Sequence, residues 1–113
     1  MVIQLDFSNL NAITDCNETL NQKLLLAFLD ELHALQLFFE RDEYKVVELF
    51  SSRYHKLLPS LEMFGLQEYA STLSELKEKI KQTGWSDDYA VLKDQCCQYL
   101  IEIKEQALQY QFN

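Results

Sequence analysis

Residues that interrupt helices are scarce in this sequence. Its 113 residues include only two glycines and one proline, whereas a turn-rich β fold needs such residues at many turns. No apolar run approaches the ~20 residues that would cross a bilayer, so we expect no membrane insertion. The start, MVIQLDFSNL, lacks a basic segment followed by a long apolar stretch, and we expect no signal peptide.

Positive charge and paired cysteines are also in short supply. The 10 lysines and arginines are outnumbered by 18 aspartates and glutamates, which gives a net charge of -8 and disfavours nucleic acid as a partner. Three cysteines, of which Cys96 and Cys97 are adjacent, do not form the even set of a disulfide framework. We therefore expect them to act as small apolar residues in a protein of the reducing cytoplasm.

The apolar content is sufficient for one buried core. Apolar residues make up 48% of the chain, and a chain of this length hides roughly 65% of its unfolded surface on folding. No linker, internal repeat or low-complexity tract divides the sequence. Residues 1–113 are therefore expected to form a single domain, and we expect it to be a monomer.

Four apolar stripes at helical spacing predict four long helices. Their members are Leu25, Phe28, Leu32, Leu35 and Phe39; Val47, Phe50, Tyr54, Leu57, Leu61 and Phe64; Leu66, Tyr69, Ala70, Leu73, Leu76 and Ile80; and Tyr89, Leu92, Cys96, Tyr99, Ile103 and Tyr110. The turns between them are very short, so neighbouring helices must run in opposite directions. The sequence predicts an all-α fold, an antiparallel up-down four-helix bundle with a short additional N-terminal helix near residues 7–12.

Polar residues and glycines beside the stripes predict the helix ends. Asp15, with a glutamate three residues later, resembles a capping box that would open the first long helix. Asp42 follows directly on that helix and is placed to cap the next one. Gly65 and Gly84 are expected to end the second and third long helices, and Ser86 to cap the last.

One histidine stands on the predicted outward face of the second long helix. At about 100° per residue, His55 lies roughly 130° from the mean direction of the core stripe. Ser51, Ser52, Pro59 and Glu62 lie on the same side of this helix. An exposed histidine among small and acidic residues usually belongs to a solvated surface, so its position alone assigns no function.

The residues around His55 resemble the motif of the histidine phosphotransfer (HPt) family. Members of that family are four-helix bundles that carry a phosphoryl group on one exposed histidine between response-regulator receiver domains. Their motif approximates H-x-L-K-G-S, with an aromatic or aliphatic residue and a glycine nine and ten positions after the histidine. Here His55, Leu57, Ser60, Phe64 and Gly65 occupy matching positions.

The resemblance extends over nearly the whole chain. The segment DFSNLNAITDCNETLNQKLLLAFLDE is similar to the N-terminal helix of the family and the start of its second helix. The segments ERDEYKVVELFSSRYH and FGLQEYASTLSELKEKIKQTGW are similar to the stretches before and after the active histidine.

The resemblance implies a phosphocarrier of a two-component phosphorelay rather than a true enzyme. His55 would be the phosphoryl acceptor, and the partner would be a response-regulator receiver domain or a hybrid sensor kinase. That partner would supply the magnesium ion and most of the catalytic apparatus, so this chain would need no metal or cofactor. A histidine side chain in water is mostly uncharged at pH 7, so its attack requires no additional base.

Two residues depart from the family motif. Leu58 stands where the family has lysine, which supplies positive charge near the phosphoryl group, and Lys56 or Lys77 is a candidate to replace it. Pro59 stands where the family has glycine. A proline in a helix interior costs about 3 kcal/mol, so we expect the helix to break near Leu58 and restart at Pro59. These departures favour an alternative, a degenerate HPt-like module that binds a receiver or other signalling protein without phosphotransfer.

The partner is expected to dock around His55. The residues assigned to this surface are Ser51, Ser52, Lys56, Leu58, Pro59, Glu62 and Lys77.

Two further functions match the sequence less well. A di-iron bundle enzyme needs two Glu-x-x-His helices, and only the pair Asp30 and His33 comes near that spacing. A structural adaptor would use apolar residues outside the stripes, namely Leu26, Leu37 and Phe38. We expect the N-terminal helix to cover these three residues instead.

Overall fold

The regular structure of the described residues is entirely helical. The computed structural model describes residues 4–83 and 90–112. Its helices are α1 (Ser8–Thr14), α2 (Glu18–Glu40), α3 (Val47–Met63), α4 (Gln67–Thr83) and α5 (Ala90–Phe112), with a short 3₁₀ helix at Glu43–Lys45. The predicted all-α class is confirmed, and the short N-terminal helix begins and ends slightly later than predicted.

Each long helix packs against at least two of the other long helices. Helix α3 contacts α4, α4 contacts α5, α5 contacts α2, and α2 contacts α3, while α1 lies against α2 and α3. The molecule measures 45 × 24 × 21 Å. None of the helices in the described part of the chain is both long enough and apolar enough to span a membrane.

The predicted apolar stripes form most of the core. Every member of the stripes assigned to α2 and α4 is buried. In α5, Leu100 and Ala107 join Cys96 and Ile103 in the core, whereas Tyr110 is 47% exposed. Three positions named in the predictions lie outside the described residues: Gly84, Ser86 and Tyr89.

Gly65 ends α3 in the left-handed conformation, as predicted. Its φ angle is +71°, and the N–H groups of Gly65 and Leu66 donate to the carbonyls of Glu62 and Leu61 at 3.2 and 2.8 Å. This is the Schellman arrangement of a helix C-terminus. A Cβ atom at position 65 would lie 2.6 Å from the Cβ atom of Asp6. Any larger residue at position 65 would therefore clash with the N-terminal segment.

The two predicted aspartate caps are wrong. Asp15 is left-handed, with a φ angle of 54°, and ends α1; Asn17 caps α2 by accepting a hydrogen bond from the N–H of Leu20 at 3.0 Å. Asp42 is also left-handed and precedes the 3₁₀ helix, while α3 begins at Val47 without a side-chain cap. Aspartate tolerates left-handed turns as well as caps, and here both aspartates reverse the chain.

Helix α3 continues through Pro59, so the predicted break near Leu58 is wrong. Proline has no N–H, and the carbonyl of His55 therefore loses its usual helical donor. The helix persists because Leu57 and Leu61, before and after the proline, are 2% and 0% exposed. Burying each leucine stabilises the fold by about 1.5–3 kcal/mol, which offsets the local cost of the proline.

The apolar residues of α2 outside its stripe have different environments. Phe38 is buried, with its ring centroid 5.9 Å from that of Phe39 and 5.7 Å from that of Phe50. Leu37 is half-buried. Leu26 is 45% exposed, so the prediction that the N-terminal helix covers it is wrong.

The adjacent cysteines belong to the packing of α5. Cys96 is buried and Cys97 half-buried, and both are free thiols, as is the exposed Cys16. Burial raises the pKa of the Cys96 thiol to about 12 and also raises the pKa of Cys97. Since the thiolate is the reactive form, this pair is poorly suited to nucleophilic chemistry.

Candidate functional site

His55 lies near the middle of α3, and its side chain is exposed. Ser52 and Pro59, one turn before and after it, are exposed as well, and so is Glu62 one turn further on. Ser51 is half-buried. The small Ser51 and Ser52 side chains leave room for another molecule on one side of the imidazole, whereas the Pro59 ring fills space on the other side.

Lys77 brings positive charge from α4 to the residue beside His55. Its ammonium nitrogen lies 4.8 Å from the centroid of the Tyr54 ring, within the range of a cation–π interaction. The Tyr54 ring in turn has its centroid 6.2 Å from that of the His55 imidazole. The lysine and the imidazole therefore share one aromatic neighbour.

The ion pair of Lys77 is weak. Its ammonium nitrogen lies 3.9 Å from the carboxylate of Glu78, whose side chain is 50% exposed, whereas the Lys77 side chain is 16% exposed. A pair at this distance with a half-exposed carboxylate is weak. Glu78 therefore offsets only part of the positive charge of Lys77.

Lys56 lies on the other flank of α3 and is separated from Lys77. It lines a cavity of about 210 Å³ together with Phe38 of α2, Glu43 of the 3₁₀ helix, and Leu49, Ser52 and Arg53 of α3. Successive helical residues diverge by about 100°, so Lys56 and His55 point in different directions. Lys56 and Lys77 therefore flank His55 on opposite sides of α3, and both stay candidates to replace the lysine of the motif.

Leu58 is half-buried and packs against the hydrophobic core. The position where the HPt motif has lysine therefore places an apolar side chain against the bundle. Glu48 and Glu62 are exposed on this helix, so the surface near His55 carries acidic as well as basic charge.

Glu31, which lies across from the C-terminal half of α3, could not be singled out as a site residue by the apolar periodicity of α2. The Ser60 hydroxyl donates a hydrogen bond to its carboxylate, and burial raises its pKa while the Ser60 bond opposes that shift. Its Oε2 atom is buried and has no hydrogen-bond partner among the described residues. Its place at the edge of the apolar stripe of α2 is the sequence feature that indicates partial burial. An acidic residue is seldom buried without a partner, so such a position is unusual.

His33, the second histidine, is exposed on α2, as is Asp30. Within residues 4–83 and 90–112, no three or more histidine, cysteine, aspartate and glutamate side chains are grouped so that they could hold a metal ion.

Compared with known proteins, the chain matches no family model, no curated protein and no solved structure at a significant level. The resemblance to HPt domains therefore depends on the motif residues around His55 and on the helix layout, and it stays a prediction.

Proposed function

We propose that this protein is an HPt-type phosphocarrier in which His55 accepts a phosphoryl group from one receiver domain and passes it to another. The observation that carries the proposal is the exposed His55 imidazole in mid-helix, beside a tyrosine ring that holds the Lys77 ammonium. A nucleophile on a rigid helix with a nearby fixed cation suits phosphoryl transfer, which depends on positioning and charge.

The proposed architecture is an antiparallel up-down bundle of α2, α3, α4 and α5, with α1 packed at one end. Two observations support it. Each of these helices contacts two of the others in a closed series, and only residues 64–66 separate α3 from α4. A connection of that length favours antiparallel neighbours.

The proposed chemistry is one substitution at phosphorus. The imidazole nitrogen that carries the lone pair attacks the phosphorus of an aspartyl phosphate on the receiver. A nitrogen–phosphorus bond forms, the bond from phosphorus to the aspartate oxygen breaks, and the aspartate leaves as a carboxylate. The reverse reaction with a second receiver regenerates the free histidine. The receiver supplies the magnesium ion in both steps, and this chain supplies the nucleophile and its surroundings.

Lys77 has the role of the missing motif lysine in this proposal. The transferred group bears negative charge on its oxygens, which the Lys77 ammonium attracts and the exposed Glu48 and Glu62 repel. The Lys77 side chain is only 16% exposed, so its interaction is screened less than those of the two exposed glutamates. In this proposal the attraction of Lys77 exceeds the repulsion of the two glutamates, even though Glu78 offsets part of its charge.

The receiver would dock on the outward face of α3. His55 would lie at the centre, with Ser51, Ser52, Pro59 and Glu62 around it. Lys56 and Lys77 would lie on opposite flanks, and Leu58 beneath would fix the helix to the core. We propose that the protein acts as a monomer in the cytoplasm, without a cofactor of its own.

A second candidate is a module that binds a receiver or another signalling protein without transfer. Pro59 favours it, because its exposed ring lies one turn after His55 on the same helix face. There it narrows the approach to the imidazole. Leu58 favours it as well, since the half-buried leucine contributes no charge.

One experiment separates these candidates. A panel of receiver domains phosphorylated with acetyl phosphate is mixed with the isotopically labelled protein, and amide shifts and protein-bound phosphate are followed together. A carrier shows shifts around His55 and gains the phosphate that the receiver loses. A non-transferring binder shows the shifts alone. Absence of both effects with every receiver would contradict the proposed function.

A further inference from the structure

A small cavity on the flank of α3 holds two positive charges. It has a volume of about 210 Å³ and is lined by Phe38, Glu43, Leu49, Ser52, Arg53 and Lys56. The four members from α3 recur at helical spacing (i, i+3, i+4, i+7), so they form one stripe along the helix. Phe38 at the end of α2 and Glu43 in the 3₁₀ helix form the opposite side.

The two cations lack carboxylate partners within the described residues, although the chain has 18 acidic side chains. Among the described residues, the ion pairs involve Lys45, Lys77, Lys79 and Lys93. Neither Arg53 nor Lys56 takes part in one. Even Glu43, which lines the same cavity, forms no ion pair with them. A locally positive site in a protein with a net charge of -8 therefore faces solvent.

Arg53 is partly fixed before any ligand arrives. Its guanidinium carbon lies 6.0 Å from the centroid of the Phe38 ring, and Phe38 itself is 3% exposed. Contact with a buried ring limits the movement of the long side chain, which lowers the entropy lost when a ligand binds. Arg53 is half-buried, whereas Lys56 and Ser52 are exposed and can adjust.

We propose that this cavity is a docking site for one acidic side chain of a protein partner. The carboxylate would lie between Arg53 and Lys56, with the guanidinium donating two parallel hydrogen bonds and the Ser52 hydroxyl a further one. An aliphatic residue next to the acid would pack on Leu49, which is 48% exposed. The site therefore selects an acidic residue with an apolar neighbour.

Size and charge distinguish this ligand from others. Sites for small molecules have volumes of about 300–1,000 Å³, so a cavity of about 210 Å³ suits a single side chain. Two cations and the Glu43 carboxylate leave one net positive charge, which matches a carboxylate. A phosphate dianion would bring a second negative charge close to Glu43. The apolar wall of Phe38 and Leu49 also favours a peptide segment over a free anion.

This inference rests on one part of the proposed function, namely that this side of α3 meets a protein partner. It does not require phosphotransfer. Ser52 and Lys56 belong both to the cavity and to the proposed receiver surface. Partners that carry an acidic side chain at the matching position would therefore be selected for docking beside His55.

The test is a titration of the isotopically labelled protein with the end-blocked tetrapeptide LELA, its amide analogue LQLA, and inorganic phosphate, each at millimolar concentration. LELA should shift the amide signals of Phe38, Glu43 and residues 49–56, whereas LQLA and phosphate should not. Replacing both cations (Arg53→Gln with Lys56→Gln) should weaken LELA binding by about tenfold or more. The equally charged control, Lys23→Gln with Lys79→Gln, should change it by less than about twofold.

Other outcomes would overturn the inference. Equal binding of LELA and LQLA would show an apolar groove without charge selection. Shifts of the same amides with phosphate would assign the cavity to a free anion, and no shift with LELA would mean that it binds neither. The proposed phosphotransfer can fail separately, because His55→Gln should retain LELA binding while losing any phosphate uptake.

Discussion

The ammonium nitrogen of Lys77 lies 4.8 Å from the centroid of the Tyr54 ring, which joins α4 to the residue directly before His55. The contact places a partly buried cation beside Tyr54. At position 58, where the HPt motif has lysine, α3 carries the apolar Leu58. In the proposed function, Lys77 takes the place of the lysine that the HPt motif has three residues after the histidine.

Lys77→Gln should slow phosphoryl uptake from a phosphorylated receiver by about tenfold, which corresponds to about 1.4 kcal/mol in the activation free energy. The reason is the loss of the cation that contacts the Tyr54 ring beside His55. Rapid-quench measurement of the uptake rate checks this. Lys79→Gln is the matched control, since Lys79 lies on the same helix and pairs with Glu75 at 3.6 Å. Equal rates for both variants and the natural protein would show that Lys77 has no part in transfer.

Replacing Pro59 by glycine and Leu58 by lysine should raise phosphoryl uptake by about tenfold or more. Because α3 runs unbroken through Pro59, the proline ring stays one turn from the imidazole, and a displacement of about 1 Å can cost about a hundredfold in rate. The single change Pro59→Gly separates the steric effect from the added charge. If the natural protein already takes up phosphate rapidly and the double variant shows no gain, then Leu58 and Pro59 have no effect on transfer.

Phe50→Ala should lower the free energy of unfolding by about 3–5 kcal/mol, whereas His55→Ala should change it by less than about 0.5 kcal/mol. Phe50 is 1% exposed and packs against the rings of Phe38 and Phe39, while His55 is exposed on the same helix. Denaturant unfolding of the two variants checks this. Similar losses would mean that the inward and outward faces of α3 are assigned incorrectly.

The Glu31 carboxyl should make stability depend on pH. Burial raises its pKa above the ordinary value of 4.5, so the folded protein binds this proton more tightly than the unfolded chain does. The ionised form therefore opposes folding at neutral pH, and the penalty is relieved as the pH falls through the raised pKa towards the ordinary value. Glu31→Gln should be more stable than the natural protein at pH 7, and this advantage should vanish below the ordinary pKa.

Unfolding by denaturant between pH 3 and pH 8 measures this effect, with the exposed Glu105→Gln as control. Ser60→Ala should be less stable than the natural protein at neutral pH, because Ser60 donates to the ionised Glu31 carboxylate. An advantage of Glu31→Gln that is the same at every pH would show that the carboxyl is not held in an unfavourable environment.

The helices and their buried faces could largely be predicted from the sequence, because apolar spacing reflects burial directly. The stripes of α2 and α4 are buried at every position. The turns at Asp15 and Asp42 could not be predicted from the sequence. Aspartate is as suited to a left-handed turn as to a helix cap, and only packing decides between these uses. The continuation of α3 through Pro59 could not be predicted either, because the local cost of the proline is offset by the burial of leucines before and after it.

At the candidate site, periodicity was sufficient to place His55 outward but not to define its surroundings. The contact of Lys77 with Tyr54 depends on how α3 and α4 pack together, which no single helix pattern contains. Arg53 and Lys56 showed a helical spacing with Leu49 and Ser52, yet their cavity exists only because Phe38 and Glu43 lie opposite. Contacts between elements are therefore the part that sequence periodicity leaves open.

The most direct test of the central proposal is to locate the phosphate after incubation with a phosphorylated receiver. The natural protein and the His33→Gln variant should both carry acid-labile phosphate, and peptide mapping should place it on His55. The His55→Gln variant should carry none, although it should fold normally and retains His33, which is also exposed. Phosphate on His33, undiminished uptake by His55→Gln, or no acid-labile phosphate with any receiver would contradict the account.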